Sequence, residues 1–565
     1  MLLSNMELLA TAPGGVAKLR ELILTLAVQG KLVPQDPADE PAAVLLQKIR
    51  AEKDRLMAEG KIKRDKPLAE IGEEEKPFDL PQGWEWVRLS ALLQKIGAGS
   101  TPLGGREVYV SSGVKFLRSQ NVWDEGLRLD GVAFIKPETH ARMAGTVVVA
   151  NDLLFNITGA SIGRCAVVPS DFDEANVSQH VTIIRAVLPE INAYLHKVLV
   201  SRHVQQTVMD VQVGVSREGL SIAKLGQFLI PLPPLAEQSR IVTRVEALMR
   251  LCDALEAKGQ LEAAQHVQLV STLLGTLTAS TTPEELAANW QRVAQHFDLL
   301  LDRPEAIDAL EQTLLQLAVR GLLVPQDPSD EPASALLQKI RAEKDRLIAT
   351  GQIKRDKPLP PITDEEKPFE LPVGWEWVRL ADIADSRLGK MLDKAKNSGR
   401  RYPYLRNTNV QWHHIDLDDI KEISLEASEL AEFRLMAGDL LICEGGYPGR
   451  CAIWRDPDRE MYFQKALHRV RPRGGIAVEL IAIALESDSR AGSLDKHFTG
   501  ATIKHFVGQA LDRYVLALPP LPEQSRIVTR VTALRRLCAD LRQRLAERQS
   551  VQARLAEALV DSVTA

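Results

Sequence analysis

The stretch LPPLAEQSRIVTRV at 232–245 returns as LPPLPEQSRIVTRV at 518–531, with Ala236 against Pro522 as the one difference. The paired prolines force an extended backbone that lacks amide donors. Glu-Gln and an apolar-periodic run follow at once, so the segment predicts an extended strap turning into a helix. Identity of this degree inside one chain means that the chain is built twice.

Upstream of each strap the repetition continues. Val16, Leu19, Ile23 and Leu26 form an apolar helical stripe closed by Gly30, and Ile307, Leu310, Leu314 and Leu317 repeat it before Gly321. VPQDP (33–37, 324–328), LLQKIRAEKDRL (45–56, 336–347) and IKRDKPL (62–68, 353–359) recur unchanged, and LPQGWEWVRL at 80–89 faces LPVGWEWVRL at 371–380. After Leu89 and Leu380 the copies diverge into short strand-like runs broken by Gly, Pro, Asn and Asp. Three echoes survive: VKFLRSQNV (114–122) with YPYLRNTNV (402–410), NDLLF (151–155) with GDLLI (438–442), and GRCAVV (163–168) with GRCAIW (449–454).

Downstream of the straps, Ile241, Val245, Leu248, Cys252 and Leu255, and again Ile527, Val531, Leu534, Cys538, Leu541 and Leu545, follow the 4-3 alternation of a coiled-coil seam. A helix from 236 to about 257 would be ~33 Å long at ~1.5 Å per residue. The segment 278–304 has no counterpart after the second copy. The expected fold is α+β, with two homologous globular domains separated by two antiparallel coiled-coil regions in a pseudo-twofold repeat. The expected divisions are 1–79, a helical segment and linker; 80–235, the first domain; 236–370, a central helical region and linker; 371–521, the second domain; and 522–565, a C-terminal helix. Repeat logic pairs the N-terminal helix with the C-terminal one, and 307–317 with the central helix.

At 565 residues the chain needs several cores. No apolar run approaches the ~20 residues of a membrane span, and the N-terminus lacks a secretory pattern. The five cysteines form no CxxC, so a reducing, cytoplasmic setting is expected and no metal site. Net charge is −5, which argues against a protein coated in basic charge but not against a local basic surface.

The paired LPPL-x-EQ segments, the two GWEWVRL runs, and LAVQGKLVPQDP with LAVRGLLVPQDP resemble the specificity subunit of a type I restriction–modification enzyme across essentially the whole chain. The resemblance implies two target recognition domains, each reading one half of a split double-stranded DNA sequence. It implies that the repeated helices act as a spacer, for which the ~33 Å of 236–257 is close to the ~34–36 Å of one DNA turn, and dock two methyltransferase subunits, with restriction subunits joining that core. It also implies that S-adenosylmethionine, ATP and Mg are used by partner subunits, and that this chain is not itself an enzyme. The residues agree: no Asn-Pro-Pro-aromatic signature, no G-x-x-x-x-G-K-[ST] and no G-x-G-x-x-G occurs. The competing reading is a structural adaptor that holds two protein partners apart without DNA.

Candidate DNA contacts follow from residue chemistry. Residues 386–406 carry Arg387, Lys390, Lys394, Lys396, Arg400, Arg401 and Arg406 against one acid, Asp393, a composition suited to phosphate. Asn407, Asn409 and Gln411 follow, and such amides pair with adenine edges. In the first domain the aligned candidates are Lys115, Arg118, Gln120 and Asn121, with Thr158, Ser161 and Arg164 in a Gly-containing loop that faces Tyr447 and Arg450 of the second. A solvated basic loop and plain hairpin turns are the bland alternatives, and the cysteines read as small buried residues.

Overall fold

The computed structural model describes residues 6–63, 68–213, 219–280, 282–353, 355, 358–392, 399–500 and 502–564. The chain divides into two compact units, Met1–Leu261 with Gln549–Ala565, and Glu262–Arg548. Each holds one α+β domain together with helical segments. Among the described residues no helix is long and apolar enough to cross a membrane.

Each domain is closed where its chain enters and leaves. The opening strand Glu85–Arg88 pairs antiparallel with the closing strand Leu229–Leu232, in register Glu85 to Leu232. Glu376–Arg379 pairs with Val515–Leu518 in the same way, Glu376 to Leu518. The repeated motif then acts as a clasp, and each of its polar residues has a defined task. Glu237 is buried and accepts from Trp84 Nε1 at 3.0 Å and from Gln35 Nε2 at 3.1 Å. Glu523 accepts from Trp375 Nε1 at 3.0 Å and Gln326 Nε2 at 3.2 Å. Gln238 and Gln524 each donate to a proline carbonyl of the strap, Pro233 and Pro519, at 2.9 Å. Arg240 pairs with Asp39 at 2.6 Å and Arg526 with Asp330 at 2.5 Å. The EQSR, GWEW and VPQDP stretches thus recur together because they satisfy one another's buried polar atoms. Gly30 ends the first short helix at φ 70°, and a Cβ there would lie 2.4 Å from Pro81 Cγ. The linkers are tied down too: Arg88 binds Glu75 and Arg379 binds Glu366, so these carboxylates are ion-pair partners in a frame.

Within each domain a four-stranded antiparallel sheet repeats strand for strand. In the first its order is Cys165–Val167, Leu153–Asn156, Val181–Ala186, Leu93–Ala98. In the second it is Cys451–Ile453, Leu440–Cys443, Leu467–Pro472, Ala384–Leu388. The sequence echoes NDLLF/GDLLI and GRCAVV/GRCAIW are the hairpin at its edge. The remaining sheet differs. Among the described residues it has five strands in the first domain and three in the second, and each holds a parallel pair, Val114–Leu117 with Ala175–Val177 and Arg400–Leu405 with Tyr462–Phe463.

The helices depart from expectation in two ways. The central helix runs Leu235–Ala279, 45 residues, straight through Gly259. At ~1.5 Å per residue it is ~67 Å long, so the match to one DNA turn, which rested on an end near 257, does not hold. A solvent-facing glycine costs a helix only ~1 kcal/mol, and the helix has core residues beyond it at Val270, Leu274 and Leu277. The second long helix runs Leu521–Thr564. Secondly, neither short helix has a single long partner. In the first unit the helix Gly15–Val28 shares a core with Ile241, Val245 and Cys252 and with Ala556 and Val560. In the second unit the helix Pro304–Val319 shares one with Val270, Leu274 and Leu277 and with Cys538 and Leu545. Leu22 is buried in the first of these cores and Leu315 in the domain core that holds Ile527 and Val531, so each short helix buries a face wider than a two-helix seam. The unrepeated segment supplies the helix Pro283–Ala294, which adds Val293 to the second of these cores.

Candidate nucleic-acid interface

In both domains the turn of this edge hairpin carries an arginine over an aromatic ring. In the first domain the strand Val114–Leu117 leads into a loop braced by Asn121. Asn121 accepts from Arg118 N at 3.0 Å and donates to Arg128 O at 2.9 Å. Trp123 follows, and two guanidiniums stack on its ring: Arg128 at 3.6 Å and Arg164 at 3.7 Å from the centroid. Arg164 comes from the hairpin turn, as do Thr158 and Ser161. Thr158 Oγ1 lies 2.6 Å from His180 Nδ1. Together with Ser119 and Gln120 these residues line an open cavity of about 570 Å³. Stacking orients a guanidinium yet leaves its N–H edge available, which suits an anionic backbone or a base edge.

The second domain builds the corresponding place more tightly. Arg450 lies 4.7 Å over the Tyr447 ring, and Tyr447 is exposed. Arg450 donates to Gln411 Oε1 at 3.0 Å and to Asn407 O at 2.9 Å. Asn407 donates to Gly445 O at 3.1 Å. His413 holds a left-handed backbone at φ 69°. Its ring reaches the buried Glu486 at 3.2 Å and Arg535 of the long helix at 3.3 Å. The loop is therefore fixed to the helix that leaves the domain.

Several expected contacts take other places. Asn121 and Asn409 are almost fully buried and brace loops; Asn409 accepts from Arg406 N at 2.9 Å and donates to Asp416 O at 3.1 Å. Both are occupied by backbone groups, the usual fate of loop asparagines. Arg118 and Arg406 donate to carbonyls thirteen residues on, Gly131 and Asp419. Among the described residues the basic run of the second domain is largely neutralised. Arg387 meets Glu432, Lys390 meets Glu429, Arg401 lies 3.7 Å from Glu422, and Arg406 lies 2.7 Å from Asp419. Counting charge along the sequence misses acids brought in by the neighbouring strand and helix. Lys394 and Lys396 lie outside the described residues, and Arg400 is exposed beside Tyr402 at 5.7 Å. Lys115 is paired with Asp173 at 2.7 Å. What remains facing the open cavity of the first domain is Gln120, Thr158, Ser161 and Arg164.

Trp123, Arg128 and His180 belong to this site and escaped the sequence reading. A lone tryptophan between two arginines in a turn-rich stretch was the available signal. The five cysteines are all buried and unpaired. Burial pushes every one of their thiols upward, Cys443 to about 11, which leaves them protonated and unreactive. Ligand atoms of Glu311, His413 and Glu486 lie within 4.8 Å of one another. Arg490, Arg535 and Arg542 also contact these two carboxylates. Three guanidiniums beside two carboxylates make an ion-pair node and disfavour a cation.

A family model described as the type I restriction modification DNA specificity domain matches residues 81–265 and again 372–548. The chain belongs to this family. It carries two copies of the domain, and they coincide with the two strand-for-strand repeated sheets. The chain is 36% identical over 563 residues to the type I restriction enzyme EcoEI specificity subunit of Escherichia coli, covering 97% of this chain and 94% of that one. It is equally similar, 36% over 571 residues, to the EcoAI specificity subunit of the same organism, with the same coverage. The HsdS subunit from Thermoanaerobacter tengcongensis matches at 20% identity and a TM-score of 0.41, covering 86% of this chain and 97% of that chain. Family membership rests on the first three of these matches.

Proposed function

We propose that this chain is the non-catalytic DNA-reading subunit of a type I restriction–modification complex, with 80–235 and 371–521 each recognising one half of a bipartite duplex target. The observation that carries the proposal is the recurrence of an arginine on an aromatic ring, Arg164 on Trp123 and Arg450 on Tyr447, at the same hairpin turn of two domains whose other loops differ. A constant frame that presents divergent loops is how one scaffold reads two sequences. Arg128, Arg164, Gln120, Thr158 and Ser161 would meet DNA from the first domain. Arg400, Arg450 and Tyr447 would do so from the second, with Lys394 and Lys396 assigned on sequence alone.

The duplicated clasp and helices support two copies of one partner, a methyltransferase subunit, with restriction subunits added to that core. S-adenosylmethionine, ATP and Mg would serve those partners, in the cytoplasm. The test is methylation sequencing of host DNA with and without this gene, followed by exchange of 90–230 for the same segment of a relative. One half of the target should change and the other stay. A change in both halves, or methylation that does not depend on the gene, defeats the reading.

A further inference from the structure

The chain faces a pairing problem that its apolar residues cannot solve. Seam residues are identical in the two long helices: Ile241 and Ile527, Val245 and Val531, Leu248 and Leu534, Cys252 and Cys538. The two short helices carry near-identical stripes, Val16, Leu19, Ile23 and Leu26 against Ile307, Leu310, Leu314 and Leu317. Hydrophobic packing would let either short helix lie on either seam.

The charges at equivalent positions are inverted. Arg20 of the first short helix occupies the repeat position of Glu311 in the second, and Glu256 of the first long helix occupies that of Arg542 in the second. In the first unit Arg20 binds Asp253 at 2.6 Å and Glu256 at 3.1 Å. In the second unit Arg542 binds Glu311 at 2.5 Å and Asp308 at 2.6 Å. Arg535 adds a contact to Glu311 at 3.5 Å and Arg490 one at 3.7 Å. Met249 stands at the repeat position of Arg535, and Ala539 at that of Asp253. The cation is thus on the short helix in one copy and on the long helix in the other.

We propose that this inversion makes Arg20, Asp253 and Glu256 on one side, and Glu311, Arg535 and Arg542 on the other, the residues that decide which of the two equivalent long-helix segments, 241–256 or 527–542, each short helix accepts. The accepted segment is the one that directly follows the same domain, and the far end of the other long helix packs beside it. In the wrong pairing Glu311 meets Asp253 and Glu256, and Arg20 meets Arg535, Arg542 and Arg490. Glu311 is 6% exposed, so the second unit is the more selective: a buried carboxylate facing like charges is penalised far more than a solvated one. Surface ion pairs add little stability; their value here lies in rejecting the alternative.

The full-length chain tests this by amide hydrogen exchange followed over 16–28 and 307–319. Arg20→Glu imitates the wrong partner and is expected to lower protection of 16–28 at least tenfold, whereas Arg20→Gln lowers it no more than threefold. Adding Asp253→Ala with Glu256→Arg, which installs the pattern of the second long helix, is expected to restore protection to Arg20→Glu. A second pair of variants replaces 16–28 by the sequence of 307–319, with Arg20 either retained or replaced along with the rest. The form that retains Arg20 is expected to be protected at least tenfold more than the form that does not. Equal protection of those two forms, or failure of the double change to rescue Arg20→Glu, overturns the proposal.

Discussion

The edge hairpins of the two domains hold one buried aspartate in nearly the same geometry, while the turns at their ends do not agree. Asp152 binds Arg185 through Nε at 2.6 Å and a terminal nitrogen at 2.7 Å; Asp439 binds Arg471 at 2.6 and 2.8 Å. Each aspartate also accepts a backbone amide three residues earlier, from Val149 and Met436, at 2.8 Å. At the turns, one domain has Arg164 stacked at the edge of an open cavity, and the other has Arg450 bonded into its own loop. A buried charge with fixed partners tolerates few arrangements. A solvated turn tolerates many. Identity survives where leaving a polar group unpaired is most costly, and divergence gathers where water can replace a lost contact.

The largest effect should come from removing the shared feature. Asp152→Ala and Asp439→Ala each leave an arginine unpaired beside a vacated buried site, and each is expected to cost about 3–5 kcal/mol. Calorimetric unfolding of the full chain reads this, and the two costs should agree within about 1 kcal/mol. A loss in one domain only would break the equivalence of the two hairpins.

The turns should respond differently from each other. Arg164→Ala is expected to leave the target sequence unchanged and to reduce the slope of log K against log salt by about 1, as for one phosphate contact. Arg450→Ala releases Asn407 O and Gln411, so it should relax base choice in one half-site by about 1–3 kcal/mol. Binding to variant duplexes at several salt concentrations separates the two. If both substitutions change only the salt slope, the second turn is no more of a reading loop than the first.

The frame was legible in the sequence because it is repeated. EQSR, GWEW and VPQDP stood out as identical stretches, and the structure gives the reason: Glu237, Trp84 and Gln35 form one bonded set, as do Glu523, Trp375 and Gln326. The site was less legible. Asn121 and Asn409 have the chemistry of base readers and spend it on backbone. The basic run 387–406 looked cationic until Glu422, Glu429 and Glu432 arrived from elsewhere in the fold. Trp123 became informative only once Arg128 and Arg164 were seen on its ring. Residue type announces capacity, and only the fold decides whether it is already used.

The clasp offers a subtler comparison, through pH. Burial raises both Glu237 and Glu523 above the ordinary glutamate range, and hydrogen bonds from glutamine and tryptophan only partly oppose it. For a carboxyl raised on folding, the stability contribution is full below the unfolded-state value and is lost as pH rises through the folded-state value. Glu237→Gln and Glu523→Gln should therefore gain on the parent as pH rises from 4 to 8, by similar amounts in the two copies. Urea midpoints across that range check it. A difference from the parent that does not vary with pH would mean that burial does not govern these carboxyls.

The smallest expected effect corrects the seam. A 4-3 alternation places Leu541 on the buried line with Val531 and Cys538, yet it is 37% exposed, whereas Leu545 is 6% exposed. A straight helix drifts ~20° per heptad from a 3.5-residue repeat. Past Cys538 the drift turns Leu541 outward and brings Arg542 toward Asp308 and Glu311. Leu541→Ala should therefore change stability by less than about 0.5 kcal/mol, as exposed substitutions do. Leu545→Ala should cost about 2–5 kcal/mol through lost burial and the cavity left behind. Equal losses would mean that the long helix supercoils enough to keep Leu541 on the seam. The ion pairs of Arg542 would then have to break, so Arg542→Ala in the same unfolding assay would show no loss.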